Sequence, residues 1–410
     1  MKRSIIGPLL LLATTGVAEA QTPSLGERLD FQGPRKNKIA LDVYAFGQGD
    51  PGDGTAGNQF RSESFQYGGI GLDIDLASGE HAQIRLNGVL SYIENDFENP
   101  LPAGSTVASA TPNVITLDSS ITVSLNPGGG PWTWSPGFFY HHQDGFVSVG
   151  PNFDVVRELA HGNASVFANT SFRFSWPWWA NFDNQPSDRP EQYTATAMLG
   201  WSQFWSKSWL TTMSIQAARQ WGRLYNTLQY VGGMEEQLSD PRLAPDVQLV
   251  QERLPDDRSR LQANLRVRYS PNVGIGLGAD FSGYIDDWSI QHFSLQPQAQ
   301  FSLFQKGEAS IRLWYRFSWQ DGTRFFIDGQ EAAELFRRVD VQRARLPEGV
   351  FATQDSDLAT FTTHSPGIQL RFPVRTAARL AWAVRASVYG FARSDGLFAG
   401  GANTGVETAW

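Results

Sequence analysis

The sequence predicts an all-β fold, a transmembrane antiparallel up-and-down β-barrel of about 16 strands with short periplasmic turns and long outer loops. Three observations predict it. Long segments alternate apolar and polar residues with period two. The connections between them alternate in length. No run of about 18 apolar residues follows the N-terminus, so helical spans are excluded. The alternation is clearest in RLQANLRVRY at 260–269, where Leu261, Ala263, Leu265, Val267 and Tyr269 share one face of an extended strand. Arg260, Gln262, Asn264, Arg266 and Arg268 occupy the other. SLQPQAQFSL at 294–303 and ASIRLWYRFSW at 309–319 repeat the pattern. Gln and Arg rarely fill one whole face of so long a strand in a soluble sandwich. Lipid outside and water inside accounts for both faces.

Taken in order, the chain begins with Lys2 and Arg3, an apolar stretch from Ile5 to Leu12, and Ala18-Glu19-Ala20 before Gln21. This is the pattern of a secretory signal peptide over residues 1–20. Residues 21–36 are polar and are expected to form a periplasmic tail, with the barrel occupying 37–410. Strand-length segments follow at 37–47, 64–76, 81–93, 117–126, 131–142, 144–157, 162–176, 190–204, 207–221, 257–270, 272–285, 288–304, 307–319, 360–372, 376–391 and 398–410. Fourteen strands is the alternative count, because Pro127, Pro131 and Pro136 crowd the 117–142 pair and proline cannot donate to a ladder. The tight connections, such as ASGE at 77–80 and QKG at 305–307, fall on one rim with both termini. The long ones, at 48–63, 94–116, 177–189, 222–256 and 320–359, fall on the other. That asymmetry is the transmembrane-barrel pattern and places the tight turns in the periplasm. Within the longest loop, the spacing of Ala332, Leu335, Phe336 and Val339 predicts a helix over 331–346, either folded into the mouth or lying on the rim.

Strand by strand, the outward positions are apolar. Ile39, Leu41 and Val43 oppose Asp42, and Ile70, Leu72 and Ile74 oppose Asp73 and Asp75. Phe172 and Phe174 oppose Arg173, and Trp382, Val384 and Val388 oppose Arg385. Arg219 breaks the phase near the outer rim, where the cost of a lipid-facing charge falls from about 2–4 kcal/mol at the midplane toward zero. The last strand ends at Trp410. A C-terminal aromatic is a feature that barrel-assembly machinery reads in bacterial outer membranes, so that machinery is an expected partner.

Removing residues 1–20 takes Lys2, Arg3 and Glu19 from 33 basic and 41 acidic residues, leaving 31 and 40 and a net charge of −9. Nothing in that balance marks a nucleic-acid partner. The absence of Cys excludes disulfides, lipoprotein anchoring and thiolate metal sites. A mean hydropathy of −0.31 suits a barrel whose lumen-facing half is polar.

Two stretches carry a resemblance: GYIDDWSIQHFSLQPQAQFSLF at 283–304 and IRLWYRFSWQDGTRFFID at 311–328. An aromatic-x-Asp-Asp-Trp turn between strands, then a strand rich in Tyr and Arg, resembles a bacterial family of outer-membrane barrels labelled domain of unknown function 3570. The block GNASVFANTSFRFSW with LGWSQFWSKSW also resembles it, although Phe293-Ser294 replaces the usual Thr-Leu-like pair and 48–63 lacks a family pattern. The resemblance implies an outer-membrane barrel in contact with lipid and lipopolysaccharide. It implies no activity.

The candidate functional residues are inward charges: Asp42, Asp73, Asp75 and Asp154 on early strands, Arg173, then Arg260, Arg266, Arg268, Asp280, Arg312, Arg316, Arg371, Arg385 and Glu407. Acidic and basic walls facing across a lumen would set up a transverse field that selects charged solutes. The same charges could instead pair and fill a plugged lumen. Asp286-Asp287 reads first as a tight turn with local hydrogen bonds and second as a cation ligand. His141 and His142 are adjacent strand residues pointing to opposite faces, which argues against a shared metal. No GxSxG or HExxH motif occurs, and His364-Ser365 is the one outer-loop-proximal pair that a barrel hydrolase could use. The expectation is a porin-like outer-membrane channel without cofactor or metal. A non-conducting scaffold or sheath for another envelope component is the alternative, and a barrel hydrolase the third reading.

Overall fold

The computed structural model describes residues 37–49, 65–79, 81–95, 113–143, 146–176, 191–224, 230–231, 250–272, 274–303, 309–327, 329–339, 346–353, 358–374 and 381–409. The expected signal peptide at 1–20, the tail at 21–36 and Trp410 lie outside them. The strands are β1 (Lys38–Gly49), β2 (Phe65–Ser78), β3 (Ala82–Asn95), β4 (Asn113–Leu125), β5 (Trp132–Gln143), β6 (Phe146–Leu159), β7 (Ala164–Trp176), β8 (Gln192–Phe204) and β9 (Trp209–Gly222). They continue with β10 (Tyr230–Val231), β11 (Val250–Gln251), β12 (Asp257–Asn272), β13 (Ile275–Asp286), β14 (Gln291–Ser302), β15 (Ser310–Asp321), β16 (Phe361–Val374), β17 (Ala381–Arg393) and β18 (Phe398–Ala409). One α-helix, α1 (Gly329–Arg338), lies between β15 and β16.

Every strand except β10 and β11 belongs to one closed antiparallel barrel in chain order, and β1 pairs with β18 to complete it. The barrel therefore has sixteen strands, and the fourteen-strand count is excluded. Each strand falls within a few residues of its expected place. The 117–142 pair holds because Pro127 sits in the turn before β5, while Pro136 interrupts the ladder of β5 with β4 but not that with β6. The small β10–β11 ribbon stands apart, in the connection between β9 and β12. The connections are 2 to 7 residues long on one rim and reach 39 residues on the other, as expected.

Burial inverts the usual soluble pattern. Leu41, Val43, Ile70, Leu72, Leu199, Ile215, Leu261, Leu313 and Val388 are exposed on the outer surface. Ala40, Ser165, Phe167, Ser202, Ser294 and Ala383, one residue out of phase with that set, are buried. An apolar outside over a polar inside is stable only where lipid replaces water as the external solvent. Aromatic side chains gather at both ends of that belt. On the tight-turn rim Trp132 stacks on Trp134, Arg157 lies over Trp132, and Trp209 packs against Tyr269. On the long-loop rim Phe172, Phe174, Tyr193 and Trp221 form one cluster. Such girdles mark the two membrane–water interfaces. Arg219 does face outward on that rim, where it pairs with Asp257 at 2.6 Å, so the charge that broke the phase carries its own counter-charge.

Candidate functional site: the lumen wall and its outer cap

The inward-facing charges divide into three sectors. The first surrounds the seam where β1 meets β18. Arg385 on β17 reaches across β18 to Asp42 on β1 at 2.8 Å. It crosses at Gly405, the register partner of Asp42, where an added Cβ would stand 1.8 Å from the Asp42 Oδ1. Only glycine leaves that path open. Glu407 on β18 accepts from Arg371 on β16 at 2.7 Å and lies 3.8 Å from Lys38 on β1. Next along the wall, Arg85 on β3 holds the buried Asp75 on β2 at 2.7 Å, with Asp73 inward on the same strand. Four cations, Lys38, Arg85, Arg371 and Arg385, thus meet four carboxylates, Asp42, Asp73, Asp75 and Glu407. The sector is formally neutral.

The second sector is the wall from β12 to β15. Arg266 and Arg268 share Asp280, at 3.2 and 2.7 Å, and Gln298 donates to the same carboxylate. Arg260 lies over the Tyr284 ring, Arg312 is 5.9 Å from the Trp314 ring centroid, and the Arg316 Nε–H donates to Gln296. With Arg258, this wall carries six arginines against Asp280 and Asp286. Trp314 does not project across the lumen. Its indole lies flat over Gly367 on β16, where a Cβ would come within 2.2 Å of the ring.

The third sector, β4 to β7, leans acidic. His141 Nδ1 lies 2.6 Å from Asp118, Asn169 donates to Asp154 at 2.5 Å, and Arg173 stacks over Phe139 at 4.5 Å. Asp118, Asp154 and Glu158 face inward here against one inward arginine, Arg173, among the described residues, while Arg157 faces outward. In the circular strand order this sector lies across the barrel from the strands around β15.

The described parts of the β9–β12 and β15–β16 connections fold together above the second sector. Val231 of β10 and Val250 of β11 are fully buried against Ala332 of α1, Leu346 and Ala352. Leu254, Trp288, Ile290 and Leu358 form a second apolar cluster that packs on Tyr284 and Phe325. Tyr284 faces the lumen, so this cap is rooted on the inner side of the rim. Its anchor is the turn after β13. Asp286, with a fully buried carboxylate, pairs with Arg258 at 2.5 Å and accepts from the backbone N–H groups of Trp288 and Ile290. The Trp288 indole N–H donates to the Asp257 carbonyl, and Arg258 lies over its ring. Asp287 accepts from the Ser259 N–H. The Asp-Asp-Trp turn is thus a clasp held by hydrogen bonds, the first of its two readings.

The helix α1 is shorter than the expected 331–346, and residues 340–345, which include Arg343 and Arg345, lie outside the described residues. Arg337 and Arg338 are exposed, and Arg338 pairs with Glu334 one turn back. The residues missed by the sequence reading include the inward charges Lys38, Arg85, Asp118, Glu158 and Arg258, and Gly405. Arg85 and Arg258 keep the inward phase of their strands, and continuing the alternation would have found them. The role of Gly405 depends on register. His364 and Ser365 separate: His364 faces outward, bonded at 2.5 Å to the exposed Tyr315 hydroxyl, and Ser365 takes the opposite face. Among the described residues no group of three or more metal-ligating side chains converges, and no helix is long and apolar enough to cross a membrane.

A family model described as "Protein of unknown function (DUF3570)" matches residues 146–404, which include the acidic β6–β7 strands, the arginine wall and the cap clasp. The chain belongs to this family. No curated protein matches the chain. Among solved structures, it is similar to the outer-membrane protein OpdK from Pseudomonas aeruginosa with vanillate, at 9% identity and TM-score 0.41 over 92% of this chain and 98% of that one. It is also similar to a Pseudomonas aeruginosa FadL homologue, at 8% identity and TM-score 0.41 over 93% of this chain and 91% of that one. CdiB from Acinetobacter baumannii gives 10% identity and TM-score 0.44 over 90% of this chain and 60% of that one.

Proposed function

We propose that this DUF3570 protein is a porin-like channel of the bacterial outer membrane that passes small solutes by diffusion and favours anions weakly. The observation that carries this reading is the exposure of inward-facing side chains. Arg316 on β15 and Arg371 on β16 lie inside a closed barrel yet remain exposed, which requires water beside them. A sixteen-strand barrel is wide enough to hold an aqueous channel. Inward aromatic groups such as Trp314 lie along the wall, which supports an open path. The six arginines of β12 to β15 against two carboxylates give that path an anion bias, and the acidic β4–β7 wall turns it into a transverse field. The cap over β12 to β15 narrows the mouth from one side, so solutes enter past it.

Export through a cleaved signal at 1–20, a barrel domain over 37–410 and assembly through the strand ending in Trp410 complete the proposal. The apolar belt would contact outer-membrane lipid and lipopolysaccharide. Single-channel recording in planar bilayers tests the reading. Discrete conductance steps with a reversal potential on the anion side are expected under a salt gradient. A purified, folded barrel that never conducts would overturn the channel and leave a scaffold for another envelope component.

A further inference from the structure

The arginine wall contains one guanidinium whose surroundings differ from the rest. Arg316 is exposed to the lumen, and its Nε–H is held by Gln296 Oε1 at 2.8 Å. No carboxylate lies within ion-pair distance of it among the described residues, whereas Arg266 and Arg268 have Asp280 and Arg371 and Arg385 have Glu407. One hydrogen bond therefore fixes the plane of the group and leaves its two terminal nitrogens for a partner from solution.

His292 stands on the same inward face of β14, four residues from Gln296. Its ring stacks on Tyr284 at 5.1 Å and an interplanar angle of 15°, and Arg260 lies over the other partner of that stack, 5.0 Å from the Tyr284 centroid. Tyr284 is itself fixed by its hydroxyl, which donates to Gln320. The imidazole is thus held in one orientation, while its Nδ1 is buried without a hydrogen-bond partner. Arg260 and Arg316 both lie within electrostatic reach of that ring. Between the His292 and Gln296 levels the strands carry Ser294 and Ser318 in direct register, side chains too small to separate the groups on either side. The Arg316 guanidinium, pre-oriented and with no carboxylate at ion-pair distance among the described residues, is completed by an anion. The planar guanidinium favours two oxygens over a spherical ion.

We propose that Arg316 and Gln296, backed by the His292–Tyr284–Arg260 stack, bind the oxyanion group of a small solute, a carboxylate or a phosphate, inside the lumen below the cap. The site deepens the channel reading and rests on it only for the route by which the solute arrives.

The test is isothermal titration of the full-length barrel in detergent, at constant ionic strength, with sodium acetate, sodium phosphate or sodium chloride. Saturable binding of acetate or phosphate is expected, and the tighter of the two names the source. Arg316→Gln should weaken it by about tenfold or more, the scale of one charge-assisted hydrogen bond. Arg316→Lys should fall between, since it keeps the charge and loses the fork, and it carries the test if the Gln variant misfolds. His292→Ala should weaken binding less, and Arg219→Gln, on the outer face, should leave it unchanged. Chloride binding as tightly as the oxyanions, no saturable binding of either oxyanion, or binding indifferent to Arg316 would each overturn the site. Saturable binding by a barrel that does not conduct would support the site and overturn the channel; conduction without binding would do the reverse.

Discussion

The seam sector and the β12–β15 wall use the same residue types to opposite ends. Around the seam Arg85, Arg371 and Arg385 each pair with a carboxylate on another strand, and the Arg385–Asp42 and Lys38–Glu407 bridges cross the one joint where the first strand meets the last. On β12 to β15 the inward arginines outnumber the inward carboxylates three to one, and several rest on aromatic rings or amides instead. Pairing makes the first region a fastening. The excess of inward arginines over inward acids makes the second a field directed at whatever occupies the lumen. Counting arginines does not distinguish them; where the acids fall around the ring does.

Four expected outcomes break or sharpen this contrast. The largest belongs to the cap that roofs the arginine wall. Trp288→Ala removes a buried indole with its hydrogen bond and should cost the cap about 3–5 kcal/mol. Limited proteolysis should then cut within 223–256 or 322–360 while thermal melting of the barrel barely moves. An unchanged digestion pattern would mean that Trp288 does not seat the cap. Next comes the seam. Gly405→Ala would press a Cβ to 1.8 Å from Asp42 Oδ1 and 2.8 Å from the Leu41 carbonyl, so a loss of about 3 kcal/mol is expected from such overpacking. The heat-modifiable gel shift reads it out. Gly276→Ala on the arginine wall, where the nearest atom stands at 3.7 Å, should be close to neutral. Equal effects of the two would remove the special status of the seam.

Asp42→Asn should follow at about 1.5 kcal/mol, the lower range for a hydrogen bond to a charged group, because the pair is partly solvated. A double-mutant cycle with Arg385→Gln should show coupling, and strict additivity would deny the bridge any energetic role. The smallest effect on stability and the largest on permeation is expected from neutralising Arg266, Arg268, Arg312 and Arg316 together with Asp280→Asn, which leaves no carboxylate without its partners. The melting temperature should hold while the reversal potential under a salt gradient moves toward cations. No movement would show that these charges do not govern permeation.

Much of this architecture is legible in the sequence for a physical reason. Lipid outside and water inside impose a period of two on every strand, so Leu261 to Tyr269 and Ile311 to Trp319 announce their faces residue by residue. The turn reading of Asp286-Asp287 holds because short acidic side chains reach nearby backbone N–H groups. Partner choice is not legible. Asp42 and Arg385 are 343 residues apart, and only the closing register and the missing side chain of Gly405 bring them together. The cap escaped for a different reason. Val231, Val250, Leu346 and Leu358 are scattered through long connections with no period to tie them, and their burial follows from two loops meeting in space.

The fit of Asp42 against Gly405 also acts as a gauge during closure. A barrel can close only when its first strand finds its last, and antiparallel strands can slide by two residues while keeping apolar faces outward. Sliding by two in either direction would bring Asp42 opposite Asn403 or Glu407 instead. The first presents an amide in the path that Arg385 must cross, and the second presents a like charge. In one register alone does the carboxylate find an empty place across the joint and a guanidinium beyond it, so the chain measures its own circumference at the moment it becomes a ring.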